Sequence, residues 1–260
     1  MKFKNSNYIE KIKLISKICV FVFLIACIFI PFGSGLSINY SSDNIRNYDS
    51  LFSFMFGGEI VSKTIHYKSY GIAILPLMSY LLFIVATVII CVYFFVKQTA
   101  KTKKYLGFAA ILIFLVSFII MLLSTENLLL TLCKAMYKNP EASTNKGLLP
   151  NTSLGFGSWC FVLFMILASL SFAIYLIFSY EINIKTTLNK SIIIRRFIFT
   201  FIIFLFVFSS ALAPFMAIEN ANINLGITLS IIVGFVFIIS IIYQLRIYLI
   251  YKENIVKSKK

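Results

Sequence analysis

Few side chains in this 260-residue sequence could do chemistry, and their spacing restricts it further. His66 is the only histidine. A bis-histidine haem, a histidine-rich metal site and a histidine-based zinc protease all need more than one. Ser158 stands in Gly155-Phe156-Gly157-Ser158-Trp159, where a nucleophilic serine could be sought. Serine attacks only when a neighbouring base takes its proton, and the apolar run that follows offers neither His nor Lys. The segment reads instead as a flexible helix entry, anchored at the membrane interface by the only Trp of the chain.

The five cysteines show no Cys-x2-Cys spacing. Cys19, Cys27 and Cys91 lie in or beside apolar runs, where Cys acts as a small apolar residue. Cys133 and Cys160 fall on one side of the topology derived below and could form a disulfide in an oxidising space. Leu24-Ile25-Ala26-Cys27 resembles a bacterial lipobox, but the apolar run continues through Ile28, Phe29, Ile30 and Pro31, as a retained span requires. Asp43 and Asp49 lie in loop sequence, which argues against an intramembrane aspartyl protease. There is no G-x-x-x-x-G-K-[ST] loop, so any ATP would be hydrolysed by a partner. An enzyme acting on lipid would have to gather Asp43, Asp49, Glu59 or His66 at the outer interface. The expectation is a protein without catalytic, cofactor or metal residues.

What must position these residues is a set of long apolar segments. The composition is 60% hydrophobic and only 13% charged, with a mean hydropathy of +0.94. Soluble domains carry about 45–50% apolar and about 25% charged residues. Six runs are long enough to cross about 30 Å of hydrocarbon: 18–35, 72–96, 105–124, 156–180, 197–218 and 223–245. They do not alternate as barrel strands do, and hydrocarbon offers an exposed amide no partner. The expected fold is therefore an all-α, polytopic transmembrane helix bundle, one domain over 1–260, with outer loops at 36–71 and 125–155.

Charge orients it. The termini and the loops 97–104 and 181–196 hold 18 of the 24 Lys and Arg residues against three acids, a surplus of fifteen. The other side holds six bases and six acids. Basic loops stay in the cytoplasm, so both termini are expected inside a cell membrane. The bases form juxtamembrane clusters without interleaved aromatics, a pattern unlike a nucleic-acid surface. Heavy use of Ile, Phe, Lys and Asn fits a bacterial, AT-rich genome.

Smaller features complete the reading. Leu51–Phe56 is apolar within a polar outer loop, suiting a segment tucked against the bundle or, on a sharper view, a lid. Ser124 or Thr125 with Glu126 looks like a helix start, and Asn139-Pro140 like its stop. Ile184, Leu188 and Ile192 make a short apolar stripe that suits a helix on the inner membrane surface or one docking on a cytoplasmic ATPase. Gly226, Ser230 and Gly234 recur every fourth residue, as do Ser169 with Ala173 and Ser209 with Ala213. Small residues so spaced let helices approach closely. The function expected is that of a non-enzymatic, permease-like or accessory membrane subunit whose partners are the bilayer and other subunits. The alternative is a structural or stress-related protein whose basic inner face binds anionic lipid.

Overall fold

The computed structural model describes residues 2–39, 45–62, 65–136, 152–179, 190–217 and 223–258. Among them, five helices are long and apolar enough to cross a membrane, with apolar stretches at Tyr8–Phe32, Ile74–Phe95, Ala100–Leu122, Phe156–Ser179 and Ser230–Tyr251. They are the helices of a multi-pass membrane protein. The run 197–218 also lies on a helix, Lys190–Ala217, whose side chains are described as far as Leu205.

Two compact units make up the chain, Phe21–Ser169 and the combination of Met1–Val20 with Leu170–Lys260. Helix α1 (Lys2–Phe29) enters the first unit and ends where Pro31 opens a single 3-10 turn, Ile30–Phe32. Next comes the hairpin β1 (Ser34–Asn39) and β2 (Ile45–Ser50), then the short helix α2 (Leu51–Phe56). Ser50 caps α2 by accepting the Ser53 amide proton at 3.1 Å, and Gly57 leaves it at φ 87°, a conformation costly for any side chain. A second hairpin, β3 (Gly58–Ser62) and β4 (Ile65–Tyr70), leads to α3 (Ile74–Phe95). Pro76 falls in the first turn of α3, where its missing N–H costs nothing.

After α3 the chain reverses into α4 (Ala100–Leu122). A break at Leu123-Ser124 separates α4 from α5 (Thr125–Met136), which is thus a separate helix and not an extension of the third span. β5 (Thr152–Leu154) precedes α6 (Phe156–Ser179). β5 adds antiparallel to β1, giving a three-stranded sheet in the order β2-β1-β5, with Leu36 opposite Leu154. The proposed helix stop at Asn139-Pro140 lies outside the described residues.

The strands enlarge the all-α expectation without displacing the helical bundle. Both hairpins lie within 34–70, where polar sequence with no helical period leaves backbone pairing as the way to satisfy amides. Leu51–Phe56 is tucked in, not laid open: Leu51, Phe54 and Met55 are fully buried. Its ends are tied by Leu51 N–H to Gly33 O at 2.9 Å and by Ala73 N–H to Phe54 O at 2.8 Å.

Aromatic rings fill the membrane part of this first unit. The Phe83 ring meets Phe114 at 6.2 Å and Phe161 edge-on at 5.5 Å, joining α3, α4 and α6. Phe23 of α1 meets Phe164 at 5.8 Å. Cys27 is fully buried on α1.

In the other unit, α7 (Lys190–Ala217) packs along α8 (Ile223–Ser258) through Phe204 stacked on Phe237 at 3.9 Å. The last span differs from its expected limits. Its helix starts at Ile223, as expected, and continues past Arg246 to Ser258. Arg246 is buried, with its guanidinium 5.7 Å from the centre of the Phe178 ring. A planar, weakly hydrated cation on an aromatic face tolerates such a place better than a lysine would.

Candidate functional site

The chemistry-bearing residues are put to structural use. Ser158 is fully buried, and its hydroxyl donates to the Gly35 carbonyl at 2.7 Å. Gly155 donates its N–H to the same carbonyl at 3.0 Å, and Phe156 N–H donates to Ser34 Oγ at 3.0 Å. These bonds clasp the exit of α1 to the entry of α6. Glycine makes the approach possible: a Cβ on Gly157 would lie 2.5 Å from the carbonyl carbon and oxygen of Gly33. Trp159 is 38% exposed beside the clasp, as an interfacial anchor would be. Two Gly-x-Gly pairs, Gly33/Gly35 and Gly155/Gly157, were the sequence signal for this crossing.

A second polar knot lies within the helices. Ser79 Oγ donates to Ser117 O at 2.8 Å, and Ser117 Oγ donates to Ser79 O at 2.7 Å. All four atoms are buried between α3 and α4, and Met165 Sδ lies 3.2 Å from Ser117 Oγ. Isolated serines in apolar runs give no sequence signal for such a reciprocal pair.

Cys133 is buried on α5, where burial pushes its thiol up from the ordinary cysteine range. Cys160 is half-buried at the start of α6, and both thiols are free. Asp43 lies outside the described residues. Asp49, Glu59 and His66 are on β2, β3 and β4, with their side chains outside the described set. Among the described residues no three His, Cys, Asp or Glu groups could hold a metal together.

Of the small residues, Ser169 and Ala173 are buried on α6. Ser230 is half-buried, and Gly234 leaves open space where a Cβ would be. Ser209, Ala213 and Gly226 are helical, with their surroundings outside the described set. Ile184 and Leu188 lie outside the described residues, and Ile192 is an exposed residue in the first turn of α7.

The feature that sequence reasoning missed is a groove between α7 and α8. It encloses about 240 Å³ and is lined by Ile203, Phe204, Val233, Val236 and Phe237, with Thr200 and Ser240 as its polar members. Gln244, one turn beyond Ser240, donates its amide to Thr200 Oγ1. Around the groove, among the described residues of α7, Ile198, Phe199, Phe201, Ile202, Ile203 and Leu205 are all at least 46% exposed. On α6, by contrast, Phe161, Val162, Met165, Ala168, Ser169 and Phe172 are buried. No protein family matches the sequence, and neither a curated protein nor a solved structure is significantly similar to it.

Proposed function

We propose that this chain is a non-enzymatic subunit of a cell-membrane assembly, permease-like or accessory, that engages another membrane subunit through its α7–α8 pair. The observation that carries this reading is the exposed apolar stretch of α7. Apolar side chains exposed as those from Ile198 to Leu205 are gain nothing from the hydrophobic effect inside lipid, because lipid is equally apolar. Close packing against another helix does hold such surfaces, and the α7–α8 groove offers a recess for it. The Thr200–Gln244 bond, worth about 1 kcal/mol or less in that setting, holds α7 to α8 within the chain. A cytoplasmic ATPase is the further partner this reading allows, since the chain has no phosphate loop of its own.

Photo-crosslinking tests it. A benzophenone side chain placed at Phe201 or Val236 should join the chain to a second membrane protein in native membranes, and that protein should co-purify after gentle detergent extraction. Crosslinks to lipid alone from both positions, with the chain emerging unaccompanied, would remove the proposal.

A further inference from the structure

The turn between α3 and α4 carries a separate signal. Residues 72–124 contain no acid, yet Lys97, Lys101, Lys103 and Lys104 fall within eight positions at their inner bend. Like charges this close repel, so the bend needs bracing. Val96 N–H donates to Val92 O at 3.1 Å, and Gln98 Nε2 donates to the same carbonyl at 3.3 Å. Thr99 caps α4 by accepting the Thr102 amide proton at 3.2 Å. Lys103 Nζ rests 5.0 Å from the centre of the Tyr93 ring, a cation–π contact that spans the bend. Lys97, Lys101 and Lys104 remain exposed.

Their neighbours fix what they face. Phe95, Val96 and Tyr105 are 70%, 52% and 65% exposed. Apolar and aromatic side chains so exposed belong at the edge of the hydrocarbon, which leaves the lysines level with the headgroups. We propose that the Lys97–Lys104 turn is a binding surface for anionic lipid headgroups, with Lys97, Lys101 and Lys104 meeting the phosphates and Lys103 positioning the turn through Tyr93. Charge complementarity selects the occupant: four cations with no acid on either helix favour a negatively charged leaflet. A soluble acidic protein would have to cover the exposed Phe95 and Tyr105 as well.

The test uses the full chain in nanodiscs of phosphatidylcholine and phosphatidylglycerol at about three to one, extracted into mild detergent, with retained lipids counted by mass spectrometry. At low salt the wild type should retain the two lipids with a phosphatidylglycerol-to-phosphatidylcholine ratio about tenfold above that of the nanodisc. At 1 M NaCl, where the screening length is about 3 Å, the enrichment should disappear. Lys97→Gln/Lys101→Gln/Lys104→Gln should retain the two lipids in their nanodisc proportions. Arg195→Gln/Arg196→Gln, which removes charge from α7, should keep the enrichment. K101Q and K104Q singly should each lower that ratio about threefold, which reads the surface even if the triple variant fails to fold. Absence of enrichment in the wild type, its persistence in a folded triple variant, or an equal loss in the α7 variant would each overturn the proposal. None of these outcomes bears on the crosslinking test of α7 and α8.

Discussion

Ser158 and Gly35 are 123 residues apart in sequence, yet the hydroxyl of one lies 2.7 Å from the carbonyl of the other in a fully buried bond. This bond and the Gly33–Gly157 approach determine how the first long helix leaves the membrane and how α6 re-enters it.

Replacing Gly157 with Ala should therefore be severe. The new Cβ would meet Gly33 backbone atoms at 2.5 Å, and backbone cannot rotate away as a side chain can. Overpacking of this kind costs about 1–3 kcal/mol. The transition measured by thermal unfolding in detergent should fall clearly below that of the wild type. Gly234→Ala is the matched control. Its Cβ would enter open space, and alanine is the better helix former by about 1 kcal/mol, so no loss is expected.

Ser79 and Ser117 should behave as one unit. Each donates to the other's carbonyl, so S79A or S117A alone removes one bond and disturbs the second. Buried hydrogen bonds between membrane helices average about 0.6 kcal/mol and reach about 1.7. A double-mutant cycle on unfolding free energy should show non-additivity of about 0.5 kcal/mol or more. Strict additivity would mean that the two hydroxyls do not cooperate.

Cys133 should be a slow thiol. Burial raises its pKa, so at a given pH less of it is thiolate than for an ordinary cysteine, and the thiolate is the reactive form. Its modification by a water-soluble maleimide should lag behind that of an unfolded control at pH 7.5 and gain on it as pH rises. Equal rates at pH 7.5 would contradict the packing of α5.

Topology can be tested with introduced thiols in an otherwise cysteine-free chain. Lys103→Cys should react with an impermeant reagent only after cells are opened, whereas Asn145→Cys should react in intact cells. The opposite pattern would invert the charge-based orientation.

The sequence revealed the helices because a 20-residue apolar run has few alternatives in a protein. Phe83, Phe114 and Phe161 sit in such runs, and their meeting follows from the runs becoming helices. The outer cap was harder to read. β1 and β5 are brought together by pairing across more than a hundred residues, and neither is long or apolar enough to announce itself. Gly33, Gly35, Gly155 and Gly157 were visible as two spaced pairs, but only their crossing in space explains them. The α7–α8 groove was legible in neither composition nor spacing, since Thr200, Ser240 and Gln244 are ordinary polar interruptions until the two helices are set side by side. The shelter of Arg246 was not legible either, because the Phe178 ring beside it is distant in sequence.

The pairing of Leu36 with Leu154 also bears on biosynthesis. A ribosome adding about 5–20 residues per second needs roughly 6–24 s to travel from one to the other. During that interval β1 has β2 on one edge and its other edge open. The nascent chain must keep that edge from pairing with anything else until α6 is delivered, so its early life on the ribosome is its most aggregation-prone moment.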